Sequence, residues 1–215
     1  MEEVTAMETA DTVPVGIVLV LILPLLFVEA PAFFRGGYQT DFWKLPLDEK
    51  LDHIARQPGY WTRMGVVWLP ILTLSVAGMT AFSYQLASSG SGTLSYLALG
   101  AFVFGSVAWL IGSLIQTSSV KQAAELRAAS GVTPEWLQAA WNLAWWSELT
   151  YIVAANIAFI VWGIAILDTG FPADWMGWTA ILMGAFALLL VLFTKEAFPQ
   201  LGVIVPIVLG VALII

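Results

Sequence analysis

Pro134–Leu167 reads PEWLQAAWNLAWWSELTYIVAANIAFIVWGIAIL, 34 residues with no proline after the first. Thr133 as N-cap, Pro134 at the first helical position and Glu135 in the first turn form a helix start signal, and nothing breaks the run before Asp168. A helix of that length rises roughly 50 Å, against a bilayer hydrocarbon core of about 30 Å. The spacing therefore predicts a crossing at about 149–167 whose N-terminal part stands clear of the membrane. The preceding stretch, Leu94–Ser130, also lacks proline and stops at Gly131, a residue suited to a left-handed C-cap. Two consecutive helices of this kind should form a hairpin that projects from the bilayer.

Outward from this hairpin, further apolar stretches predict crossings at about 13–34, 64–86, 94–116, 175–194 and 198–215, which with 149–167 makes six. All eight Lys and Arg residues fall in alternate gaps between them. Arg35, Lys44, Lys50, Arg56 and Arg63 follow the first stretch, Lys121 and Arg127 the third, and Lys195 the fifth. Cytoplasmic loops collect cations, so this pattern orients the chain with both termini outside and the hairpin of helices three and four in the cytoplasm. The expected fold is all-α: one polytopic bundle of six transmembrane helices in the plasma membrane, spanning residues 1–215 as a single domain.

Composition agrees. Apolar residues make up 60% of the chain, charged residues 11%, and the mean hydropathy is +0.86, outside the range of soluble globular domains. The net charge of −7 is concentrated in part in an N-terminal tail bearing Glu2, Glu3, Glu8 and Asp11, which reads as a solvated segment. Val13–Val28 followed by Ala30-Pro31-Ala32 imitates a signal peptide, but its acids precede and its cations follow, so it is expected to stay as a helix. With no cysteine and one histidine, disulfides, Cys/His metal centres and a bis-histidine haem are excluded. No phosphate loop, dinucleotide fingerprint, HExxH or GxSxG occurs. No catalytic residue, metal or cofactor is therefore assigned, and no nucleic-acid partner.

The first cation-rich gap contains an amphipathic segment at about 46–56, in which Leu47, Leu51 and Ile54 share one face. It is expected to lie on the membrane surface, with Tyr60 and Trp61 at the interface after Gln57-Pro58-Gly59 ends it. His53 falls on its polar face. Pro24 and Pro31 should bend the first crossing, and Pro70 and Pro206 should kink helices two and six. The small residues Gly105 and Gly112, Ala154 and Ala158, and Gly177 and Gly184 supply packing faces without a strict GxxxG.

Two acids stand inside apolar sequence. Glu29 lies in the first crossing, and Glu148 sits at the cytoplasmic boundary of the fourth, on one helical face with Trp141 and Trp145. An uncompensated carboxylate near a helix centre costs about 2.5 to 3.5 kcal/mol, so each needs a partner, a proton or access to water. Trp43, Trp61, Trp136, Trp141, Trp145 and Trp146 fall on the cation-bearing side, while Trp175 and Trp178 mark the other. An aromatic belt accounts for this distribution. A sharper reading is an inner pocket in which Glu29 and Glu148 meet beneath tryptophans and bind a cationic or amphipathic ligand, lined by Trp141, Trp145, Tyr151, Asn156 and Trp109.

The run Trp162-Gly163-Ile164-Ala165-Ile166-Leu167-Asp168-Thr169-Gly170-Phe171-Pro172-Ala173-Asp174-Trp175-Met176-Gly177-Trp178, with Gly184 and with Gly202 and Gly210 around Pro206, resembles a group of uncharacterised bacterial six-helix membrane proteins. These carry a G(x)FPxWxGW-like outer turn and a surface helix followed by an interfacial Trp, as Leu51–Trp61 does. The resemblance implies the six-helix layout and transfers no functional residue. The expected partners are the lipid bilayer and a protein engaged at the cytoplasmic hairpin. Three functions compete: a non-catalytic subunit, scaffold or small-ligand sensor; a carrier or channel for a small cationic or lipophilic solute; and a lipid-acting membrane enzyme.

Overall fold

The computed structural model describes residues 12–35, 37, 40–194 and 201–214. The acidic tail with Glu2, Glu3, Glu8 and Asp11, together with Lys195 and Ile215, lies outside them. Every element among the described residues is a helix, and no strand occurs there. Four helical stretches are long and apolar enough to cross a membrane, Thr12–Ala30, Pro58–Ser130, Leu137–Thr169 and Asp174–Thr194, and Leu201–Ile214 is a shorter apolar helix.

The first apolar stretch is divided into α1 (residues 12–20) and α2 (Ile22–Arg35), with Leu21 as a turn between them. Pro24 explains the break, because it has no N–H for the Val20 carbonyl and its ring crowds that turn. Two short helices follow, α3 (Thr40–Lys44) and α4 (Leu47–Arg56), then the long α5 (Pro58–Leu86). Pro70 sits inside α5, which continues as a helix past it. At Gly90 the backbone adopts φ 121°, open to glycine and strained for other residues. The chain then enters α6 (Gly92–Leu114), which packs back on α5, with the Ser95 hydroxyl donating to the Ser83 carbonyl at 2.7 Å.

A widened, π-type turn at Ile115–Val120 joins α6 to α7 (Lys121–Ser130). Gly131 closes α7 in the left-handed conformation at φ 73°, its amide donating to the Arg127 carbonyl at 2.7 Å. The next helix, α8 (Leu137–Thr169), starts later than its sequence signal suggested. Pro134 accepts a turn hydrogen bond from the Leu137 amide at 3.1 Å, and the Thr133 hydroxyl is used elsewhere: it donates to Asp48 Oδ1 at 2.6 Å and accepts from Arg127 at 2.7 Å. Tertiary partners have taken the cap. α8 ends at Gly170, φ 69°, and α9 (Asp174–Thr194) and α10 (Leu201–Ala212) complete the order.

α8 is the central helix, packed along α6 on one side and α9 on the other. Glycines set both approaches. A Cβ on Gly112 would meet the Ala144 carbonyl oxygen and Ser147 Cβ, each at 3.0 Å, and one on Gly163 would stand 2.6 Å from the Gly177 carbonyl oxygen. Gly184 stands equally close to Asn156 on the same α8–α9 seam, its Cβ position 2.8 Å from the Asn156 carbonyl oxygen. The structure thus has a large apolar core inside the bundle, including Leu19, Trp68, Phe102, Trp109, Tyr151, Phe159 and Trp162. A second, smaller core joins Phe42, Leu51, Ile54, Trp61, Met64, Val120, Ala123, Ala124 and Leu137.

That second core revises the reading of the amphipathic segment. α4 turns Leu51 and Ile54, both fully buried, onto α7 and the starts of α5 and α8. Its apolar face is covered by protein. The cation-bearing gaps after the first and third apolar stretches consequently meet in one head, where Arg127 binds Asp52 at 2.7 Å and Asp48 at 3.4 Å.

Candidate functional site

The two embedded acids have separate partners. Glu29, only 7% exposed on α2, accepts a hydrogen bond from Trp68 of α5. Glu148 on α8 is half-buried, and its Oε1 accepts from Gln116 Nε2 across 32 positions of sequence. Each carboxylate thus meets a neutral donor from a neighbouring helix, the kind of partner that a buried polar group requires.

Between them runs a file of rings. Trp68 and Trp109 have centroids 4.4 Å apart, as have Trp109 and Tyr151. Tyr151 is fully buried and lies one turn after Glu148 on α8. Its hydroxyl has no hydrogen-bond partner, and it points at α10, where a Cβ on Gly202 would lie 2.5 Å from it. Asn156 is buried as well, and its amide donates to the Ile152 carbonyl of its own helix at 2.7 Å, not to a neighbour; its Oδ1 is without a partner. Of the seven residues read from the sequence as pocket lining, Trp109 and Tyr151 stack and Glu148 sits in the preceding turn of α8.

Trp141 belongs elsewhere. It lies 6.5 Å from Trp43 by ring centroids and carries Lys50 Nζ at 4.8 Å from its own centroid, in the head. Trp145 is half-buried. Trp141 and Glu148 do share a helical face, but seven residues separate them by about 10 Å along the axis. A common face is not a common site.

The π-type turn is a junction that the sequence reading missed. Such a turn interrupts the regular i→i−4 bonding, and it recurs at functional sites. Here the Trp61 indole donates to the Gln116 carbonyl at 2.8 Å, while the Gln116 side chain holds Glu148. Thr117 occupies the space beside Gly65 so closely that a Cβ there would lie 1.8 Å from its Cγ2. Trp61, expected at a lipid interface, is 1% exposed. One turn of α6–α7 is therefore gripped by α5 and α8, where the bundle meets the head.

In the head, the Arg127 guanidinium beside Asp52 holds that carboxyl below its ordinary value, and Asp52 in return raises Arg127. Lys50 is 8% exposed, and burial pushes its amine below the ordinary lysine value. A groove of about 490 Å³ is lined by Leu45, Glu49, Asp52, Ala55, Arg56 and Ala128. No group of three or more His, Cys, Asp or Glu residues is placed to hold a metal among the described residues.

Compared with models of known protein families, with curated proteins and with solved structures, the chain matches none. This accords with a resemblance to membrane proteins of unknown function, and no residue role is carried over.

Proposed function

We propose that this chain is a six-crossing plasma-membrane protein with both termini outside, acting as a non-catalytic subunit, scaffold or small-ligand sensor that presents its head to a cytoplasmic partner. The six crossings are residues 12–35, α5, α6, α8, α9 and α10. Gly90, with its non-helical φ, supports dividing Pro58–Ser130 into two of them. The convergence of two cation-bearing gaps in one head supports the orientation, because cytoplasmic loops collect Lys and Arg.

The observation that carries the partner reading is the hairpin tip. Leu126 on the last turns of α7, and Val132 and Trp136 on the segment that joins α7 to α8, are exposed there, while the head core behind them is closed. In α8 the equivalent apolar exposure of Leu143 and Trp146 lies nearer the bilayer, which lipid covers. If the reading is right, the full chain copurifies with a stoichiometric partner, and Val132→Asp with Trp136→Ala releases it. Retention of the same partner by the double variant would exclude the tip. Sidedness is read separately: the chain has no cysteine, so Gly59→Cys and Ser89→Cys should label from opposite faces of the membrane.

A carrier for a small cationic or lipophilic solute is the second reading, favoured by two orphan polar atoms inside the bundle, the Tyr151 hydroxyl one turn from Glu148 and Asn156 Oδ1 further along α8. Flux into liposomes that Glu29→Gln abolishes would establish it.

A further inference from the structure

Lys50 occupies an unusual position for a lysine: it is 8% exposed, and its Nζ sits 4.8 Å from the centroid of the Trp141 ring. No carboxylate lies within ion-pairing distance of it among the described residues. The acids of its own helix are directed elsewhere. Asp48 and Asp52 face Arg127, and Glu49 lines the outer groove with Arg56. A ring face satisfies part of an ammonium group, but it accepts no more than one of three N–H donors well. The side chain is largely desolvated, yet its Nζ is not among the fully enclosed unpartnered atoms, so the remaining donors face outward, where water or an anion can take them.

The surroundings say where such an anion would enter. Trp43, whose ring lies 6.5 Å from Trp141, is 38% exposed and forms the open edge of the cluster, while Phe42 and Trp61 close its floor. The opening is flanked in sequence by Lys44, adjoining Trp43. We infer that Lys50, with Trp43 and Trp141, forms a binding site for a phosphate group, supplied by an anionic phospholipid of the inner leaflet or by free phosphate. Tryptophan and lysine together suit headgroup depth, the rings meeting glycerol and acyl carbons while the ammonium meets the phosphodiester. The lipid source rests on the cytoplasmic placement of the head proposed above; the anion site itself does not.

The test is a thermal-shift and binding titration of the full chain in neutral detergent, a medium with no sidedness. The probes are dihexanoyl-phosphatidylglycerol, inorganic phosphate at matched ionic strength, and monoolein as an uncharged amphiphile. The wild type should be stabilised by phosphatidylglycerol and not by monoolein. Lys50→Met should weaken that binding about tenfold or more, the scale of one charge-assisted contact, and Lys50→Arg should retain most of it. Without any anion, Lys50→Met should be at least as stable as the wild type, because it removes a partly desolvated charge that has no acid partner. A shift by inorganic phosphate alone would identify the free anion as the source. No shift by either phosphate probe, an equal shift by monoolein, or full binding by Lys50→Met overturns the site. Labelling of Gly59→Cys from the outer face would instead overturn the topology and leave the detergent result standing.

Discussion

Inside the bundle, α8 touches its neighbours through glycines: Gly112 of α6 against Ala144 and Ser147, Gly163 against Gly177 of α9, and Gly184 against Asn156. In the head, α4 touches α7 through Leu51 and Ile54 laid on Ala123 and Ala124. The contrast is what solvent demands if, as proposed, lipid surrounds the bundle and water the head. Lipid tails are as apolar as Leu, so helices in a membrane gain little by hiding aliphatic surface and associate where small residues let backbones approach. Water rewards burial, at about 25 cal/mol per Å² of apolar surface. If the two regions are held by these different means, they should respond differently to the same kind of damage.

The largest effect should come from overfilling the bundle seam. Gly163→Val places a branched side chain where even a Cβ would be 2.6 Å from the Gly177 carbonyl oxygen and from Ile181. Backbone cannot yield as a flexible side chain can, so the cost should reach about 3 kcal/mol or more. Thermal unfolding in detergent should show the whole α6–α8–α9 unit loosened. An unchanged midpoint would mean that the helices slide apart without penalty, and the packing account of the seam would fail.

Next comes Leu51→Ala, which removes a fully buried side chain from the head. Large-to-small substitutions at such sites cost about 2 kcal/mol or more. The head should become sensitive to trypsin at Lys121 and Arg127 while the bundle's unfolding temperature barely moves. Simultaneous loss of both would show that head and bundle form a single cooperative unit, and the contrast would dissolve.

The junction offers a sharper probe. Trp61→Phe keeps a six-membered ring in the head core but trims the pyrrole part of the indole, and with it the N–H that reaches the Gln116 carbonyl. Leaving that part-buried carbonyl unpaired should cost about 1 to 2 kcal/mol. Its distinguishing readout is hydrogen exchange at Ile115–Val120, which should quicken in the variant, since the π-type turn loses one of its two holds. Equal protection would place the turn's stability in the Glu148–Gln116 contact alone.

How far these features could be read from the sequence depends on distance along the chain. The helical class and the several apolar helices follow from composition and run length, and the left-handed end of α7 from one glycine, Gly131. The apolar face of α4 followed from the spacing of Leu51 and Ile54, but not what covers it, because lipid and protein make the same demand on Leu and Ile. Trp61 failed for the same reason: an amphipathic ring fits an interface and a buried donor site equally well. The Gln116–Glu148 and Asp48–Thr133 bonds join residues 32 and 85 positions apart, and no periodicity encodes such partners. Thr133 shows local and tertiary signals in conflict, its hydroxyl drawn from the cap of α8 to Asp48 and Arg127. The widened turn at Ile115–Val120 leaves no mark in Ile-Gln-Thr-Ser-Ser-Val that a regular helix would not also carry.

The smallest effect should be found at the head's polar rim, where an exposed Asp52 meets a half-buried Arg127 at 2.7 Å. The Asp52 carboxyl titrates below its ordinary value of 3.8 because Arg127 donates to it. Well above pH 3.8 both folded and unfolded chains carry the carboxylate, and the pair's contribution is fully present. As the pH falls below that value, the unfolded chain takes up its proton first, so stability declines until the folded carboxyl is protonated too. Asp52→Asn should flatten this acid limb and leave the neutral plateau nearly where it was, since an exposed pair contributes little and is screened by salt. The sign is what matters: a larger loss on raising salt than on making Asp52→Asn would show that the remaining Asp48–Arg127 contact, with Thr133 bridging it, holds the hairpin to α4. Equal small changes would leave Leu51 and Ile54 as the attachment, and the head would then be held by burial alone.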